Sequence, residues 1–146
     1  MKIAVVNGPN INLTGTRQPE VYGSVTFADM LTAIDDYAKS IGAHIIHFQS
    51  NHEGEIISFI HKCHFDGIRG IVINPGAYSH YSLAIADALR AVAPSTVAVE
   101  VHLSNIHARE EARHKSVTVA ACVGMISGFG VSSYLLAINY IYNLGG

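Results

Sequence analysis

Charge is scarce in this chain. Only 14% of its 146 residues are Asp, Glu, Lys or Arg, against about 25% in an ordinary soluble domain, so part of the surface is expected to meet something other than water. Self-association is the expected use. Net charge is −2 and no run of Lys or Arg occurs, which removes the counterion-release contribution that nucleic-acid binding leans on. The two cysteines, Cys63 and Cys122, form no CxxC pattern and read as reduced structural thiols, making the cytoplasm the default location. No GxGxxG opens the first helix, so the dinucleotide fingerprint is missing. Only four apolar residues follow Lys2 before Asn7, too few for a secretory leader, so the start reads as part of the fold.

Two further absences narrow the chemistry. His61 and His64 share a helical face, but only Cys63 adds to them, so no metal set is assembled and no metal is expected. The four lysines, Lys2, Lys39, Lys62 and Lys115, stand at the chain start, on polar helix faces or beside charges. Nothing there would desolvate an amine for Schiff-base work. After Lys115 the remaining 31 residues carry no charge. Gly124, Gly128 and Gly130 interrupt that stretch, so a buried strand followed by a helix explains it better than a membrane span.

What is present is a regular alternation. Short apolar runs at Ile3 to Asn7, His44 to Asn51, Gly70 to Asn74, Thr96 to Leu103 and Ala120 to Ser127 read as five strands. Between them lie helix-period segments. The first has Phe27, Met30, Leu31, Ile34, Ala38 and Ile41 on one stripe, a capping box at Thr26 and Asp29, and Gly42 as its stop. The second turns Ile56, Ile57, Ile60 and Cys63 inward and ends near Gly67. The third carries Leu83, Ile85, Ala88, Leu89 and Val92 and stops before Pro94; the last runs from about Val131 to Asn143. Crossover helices between apolar strands imply a parallel sheet in three layers. With five strands this predicts an α/β, flavodoxin-like sandwich of order 2-1-3-4-5, one domain over residues 1–146.

Ligands in such sheets sit beyond the carboxyl ends of the strands, and polar residues collect there. Strand one leads into Asn7 and Asn10; strand two into Asn51, His52 and Glu53; strand three into Asn74 and His80; strand four carries Glu100, His102 and Ser104. Capping and turn-building is the alternative for Asn7 and Asn51. Glu100 and His102 stand two apart on a strand and so share a face, where a carboxylate can orient the imidazole and raise its basicity. A satisfied core pair is the competing reading.

The connection after strand one, NGPNINLTGTRQPEVYGSV, far exceeds the usual two to six residues and has the character of a lid. It carries Arg17 and Tyr22. A neighbouring guanidinium lowers a phenol from its reference pKa of about 10 by about one to three units, which would leave phenolate to act as a base. Packing of the lid is the alternative role for Tyr22. Arg109 and Arg113, at i and i+4 of an expected short helix, can converge on an anion unless Glu110 and Glu111 neutralise them. The amides of Leu103 and Ser104 precede that helix and are placed to accept a carboxylate.

Four segments, NGPNINLTGTRQPEVYG, QSNHEGE, INPGAYSHYS and EVHLSNIHAREEARHKS, occur in the order seen in the type II 3-dehydroquinate dehydratases, and the chain resembles that family from Lys2 to Tyr142. The resemblance implies a cofactor-free lyase that turns 3-dehydroquinate into 3-dehydroshikimate by anti elimination through an enolate, assembled as a dodecamer built from trimers. It implies Tyr22 as base, His102 as general acid, Arg17 as the cation beside the tyrosine and Asn10 as a contact to the enolate. By the same resemblance, Asn74, His80 and Arg113 bind hydroxyls and Leu103 and Ser104 the carboxylate. Arg109 would lie near the base, with Asp87 lent to a neighbouring subunit. Ala112, where a large aromatic is expected, and Gln18, where Glu is more usual, depart from the family's pattern. A mononucleotide-binding module and a non-catalytic scaffold are the competing functional classes.

Overall fold

The computed structural model describes residues 1–16, 20 and 24–145. Arg17, Gln18 and Tyr22 lie outside them. The five strands are β1 (Lys2–Asn7), β2 (His44–Gln49), β3 (Gly70–Asn74), β4 (Val97–His102) and β5 (Gly124–Ser127). All neighbouring pairs are parallel, in the order β2-β1-β3-β4-β5, as the alternation of apolar runs and crossover helices predicts.

Period-two alternation divides the strand residues between two cores. Ile3, Val5, Val72, Val99 and Val101 face one side, against Met30 and Ile34 of α1 (Phe27–Ile41) and Tyr134, Ala137, Ile138 and Ile141 of α4 (Ser132–Leu144). Ala4, Val6, Ile71, Ile73 and Ala98 face the other, against Ile56, Ile60 and Cys63 of α2 (Glu53–Phe65) and Ile85, Ala88, Leu89 and Val92 of α3 (Leu83–Val92). Burial on both sides accounts for the nearly unbroken apolar runs of the central strands. The α1 boundaries follow the expected signals. Thr26 Oγ1 accepts from Asp29 N at 3.1 Å, Asp29 Oδ2 accepts from Thr26 N at 3.3 Å, and Gly42 closes the helix at φ 81°.

Three local expectations are corrected. The fifth strand begins at Gly124, not Ala120, because Val119–Ala121 forms a 3-10 turn whose first amide is held by Ser116 Oγ at 3.1 Å. The chain joins the sheet only where Val123 N reaches Ala98 O at 2.9 Å. Leu83 is not inward but 66% exposed, because it opens α3 directly after the capping residue Ser82. The segment after β4 is two 3-10 turns, Ile106–Ala108 and Glu111–Arg113, with Arg109 extended between them. Arg109 and Arg113 therefore do not share a face of one helix.

The charge-free stretch contains β5 and α4 after the 3-10 turn, and among the described residues no helix is long and apolar enough to cross a membrane. It leaves Val123, Phe129, Leu136, Tyr140 and Leu144 exposed.

Candidate active site

The strand ends are drawn together by a buried hydrogen-bond network. Asn7 closes β1 and Asn74 closes β3, opposite each other in register. Tyr134 Oη, fully buried on α4, donates to Asn7 Oδ1 at 2.6 Å and accepts from Asn74 Nδ2 at 2.8 Å. Asn74 Oδ1 accepts from Gly76 N at 3.1 Å, which fixes the turn that follows. Burial pushes the Tyr134 phenol well above its ordinary value, so it stays a neutral hydroxyl. Gly8 lets the two loops meet: a Cβ there would stand 2.5 Å from Pro75 O.

Above this floor lies an open cleft of about 580 Å³, solvent at its mouth included. Eight expected residues line it: Asn10, Asn74, His80 and His102 with Leu103 and Ser104, and Arg109 and Arg113. Arg109, extended between the two turns, and Arg113, at the end of the second, reach the same cleft, so the convergence expected of them survives the loss of the helix. Asp87 is elsewhere. Its carboxylate is 75% exposed on α3 and pairs with Arg90 at 3.0 Å.

Asn10 is the one described non-glycine residue with positive φ, at 68°, a conformation that Asn tolerates better than most side chains. Asn51 Oδ1 accepts from Asn10 N at 3.0 Å and from Gln49 Nε2 at 3.3 Å. The polar end of β2 thus holds the first loop and does not line the cleft. Glu53 likewise serves the scaffold, its Oε2 accepting from Ser82 Oγ at 2.6 Å.

The buried ionisable pair of the cleft is on β4. Glu100 is fully buried and His102 is 6% exposed; His102 Nε2 meets Glu100 Oε2 at 3.2 Å. An ionised carboxylate only accepts, so Nε2 carries the proton and Nδ1 is left as the nitrogen for proton exchange. His80 has the reverse arrangement. Its Nδ1 lies 2.7 Å from Lys115 O, a pure acceptor, so Nδ1 carries the proton and Nε2 is the other donor or acceptor. At the rim, Arg113 Nε donates to Glu110 Oε1 at 2.6 Å and holds that carboxyl below its usual range. Of the two glutamates weighed as neutralising partners, Glu110 thus takes that part for Arg113.

The family profile described as Dehydroquinase class II matches residues 1–142. The chain belongs to that family. A 3-dehydroquinate dehydratase of Clostridium perfringens is 56% identical over 143 residues, covering 98% of each chain. One from Caldicellulosiruptor bescii is 56% identical over 137 residues, covering 94% of this chain and 93% of its own. The crystal structure of the type II dehydroquinase from Butyrivibrio crossotus superimposes with a TM-score of 0.95 at 47% identity, each chain covered to 97%. The resemblance carried by four short motifs therefore extends through the whole dehydroquinase fold.

Sequence reasoning missed other parts of this cleft and of its support. Pro9, Ile11, Gly76, Ala77 and Ile106 complete the cleft walls through backbone and apolar contact, which leaves no chemical signature in a sequence. Tyr134 was hidden in an apolar helix. Ser116 and Thr118 hold Glu100, and one signal for them existed: an acidic residue in a buried strand requires donors.

Proposed function

We propose that the chain is a single catalytic domain, residues 1–146, that dehydrates 3-dehydroquinate to 3-dehydroshikimate by anti elimination through an enolate. The observation that carries this reading is the buried Glu100–His102 pair, whose histidine lines a cleft together with Arg109 and Arg113, in a chain related over its length to proteins named 3-dehydroquinate dehydratase.

The proton alpha to the C3 ketone goes from C2 to the Tyr22 phenolate, which Arg17 stabilises, and the electron pair moves onto the ketone oxygen to give the enolate, met by Asn10. Collapse of the enolate forms the C1–C2 double bond and expels the C1 hydroxyl, which takes a proton from His102 Nδ1 and leaves as water. One proton is taken and one is given, so no redox partner is needed. Glu100 holds the imidazolium while it is charged. Asn74, His80 and Arg113 meet the substrate hydroxyls, the Leu103 and Ser104 amides meet its carboxylate, and Arg109 lies near the base. His80 suits its part because its fixed Nδ1 proton leaves Nε2 to accept from a hydroxyl.

The exposed apolar residues flanking β5, Val123 and Phe129, and those of α4, Leu136, Tyr140 and Leu144, support assembly of the chain with itself. We assign the assembly as a dodecamer built from trimers, in the cytoplasm, with Asp87 reaching a neighbouring subunit's cleft. Stereospecific labelling tests the elimination. Substrate deuterated at C2 on the face opposite the C1 hydroxyl is expected to lose its label, and substrate deuterated on the other C2 position to keep it. The reverse pattern overturns the anti geometry.

A further inference from the structure

Glu100 is ionisable, fully buried and embedded in a strand paired on both sides, with Ile73 and Met125 opposite it. A carboxylate in that setting takes up a proton unless hydrogen-bond donors replace the water it has lost. Two hydroxyls do so. Ser116 Oγ donates to Oε2 at 2.7 Å, and Thr118 Oγ1 donates to Oε1. With His102 Nε2 on Oε2, both oxygens are engaged and the carboxylate plane is fixed from three directions.

Both hydroxyls come from the segment after Lys115, and the same segment is stitched to the other histidine. Lys115 O receives His80 Nδ1 at 2.7 Å, Val117 N donates to Ser79 O at 2.7 Å, and Val119 N donates to Ser116 Oγ at 3.1 Å. Of these five successive residues, four touch Glu100, His80 or each other, and Val117 is bonded to Ser79, next to His80. Ser116 Oγ and Thr118 Oγ1 lie 3.1 Å apart, so the clamp is one unit with a shared acceptor. Thr118 is fully buried, as a residue whose hydroxyl faces inward must be.

We infer that Ser116 and Thr118 are positioning residues for the elimination: they hold and aim the Glu100 carboxylate, and through it fix the His102 ring in the orientation that presents Nδ1 to the leaving hydroxyl. The inference rests on the assignment of His102 as general acid. Neither hydroxyl lines the cleft, so substrate affinity is not what they control. The segment also fixes His80 through a backbone carbonyl, which side-chain substitution at Ser116 or Thr118 leaves in place.

The test uses the full chain in Thr118→Val, Thr118→Ser, Ser116→Ala and Ser116→Ala/Thr118→Val forms, with 3-dehydroquinate as substrate. Thr118→Val keeps the side-chain shape and removes the donor. Its kcat is expected to fall about 10- to 100-fold, the range for losing a hydrogen bond to a charged group, while KM stays within about threefold. Thr118→Ser restores the hydroxyl and is expected to recover most of kcat. Ser116→Ala, at a half-buried site, gives the same split to a smaller degree and serves if Thr118→Val does not fold. The double variant is expected to lose less than the product of the single losses, because the hydroxyls share one acceptor.

Unchanged kcat in both single variants, or a loss that appears in KM alone, overturns the inference. So does a Thr118→Ser form as slow as Thr118→Val. If the unaltered chain leaves 3-dehydroquinate intact, the functional assignment itself fails, which is a separate result. If it turns over but His102→Ala is as fast, the general-acid assignment fails and the inference with it.

Discussion

Replacing Tyr134 by Phe removes one oxygen from the middle of the network that ties β1, β3 and α4 beneath the cleft. The ring is fully buried and its packing survives, so the loss is confined to two hydrogen bonds: donation to Asn7 Oδ1 at 2.6 Å and acceptance from Asn74 Nδ2 at 2.8 Å. Asn7 and Asn74 are themselves buried, and each would be left with a polar atom lacking that partner. At about 1–3 kcal/mol for each of the two buried groups left unpaired, the expected cost is about 2–6 kcal/mol. For a chain of this size that corresponds to a drop of about 5–20 °C in Tm. Urea unfolding at neutral pH measures it, as a lower midpoint at unchanged slope. A loss under about 0.5 kcal/mol, the level of a substitution away from any such feature, refutes the claim that this network is a structural tie.

Tyr22→Phe is expected to keep substrate binding and cut kcat by about 10²- to 10⁴-fold, the usual effect of losing a general base; near-normal turnover would reassign the base. Arg17→Ala is expected to slow turnover and move the acidic limb of the rate profile to higher pH, as the phenol regains its reference value; an unmoved limb with activity intact would leave Arg17 without that role. Activity is expected to survive a metal chelator, and borohydride added with substrate, and loss under either contradicts the mechanism. Burial pushes the Cys63 and Cys122 thiols up from 9.0 to about 12. Folded thiols therefore hold protons that unfolded thiols release, and stability is expected to be full below about pH 9 and to fall as pH rises toward 12. A urea midpoint that does not drop between pH 8 and about pH 10.5 contradicts this sign.

The layers and strand order were legible because burial on both faces of a parallel sheet leaves apolar runs, and crossover helices leave a stripe such as Met30, Ile34 and Ala38. Legibility ended where local pattern and tertiary contact part. Ala120 to Cys122 looks like strand but turns against the sheet, because Ser116 caps that turn. Arg109 and Arg113 have helical spacing without a helix, yet still reach one cleft. The site was readable where chemistry is concentrated in one side chain, as in His102, His80 and Glu100. It was not readable at Ser116, Thr118 and Tyr134, whose partners lie 16, 18, 60 and 127 residues away and whose residue types serve many ends.

The most direct measurement is absorbance. Purified chain mixed with 3-dehydroquinate in chelator-treated buffer is expected to generate the ultraviolet band of a conjugated enone as water leaves, and the His102→Ala form to generate it far more slowly. A flat trace with the folded, unaltered chain contradicts the account.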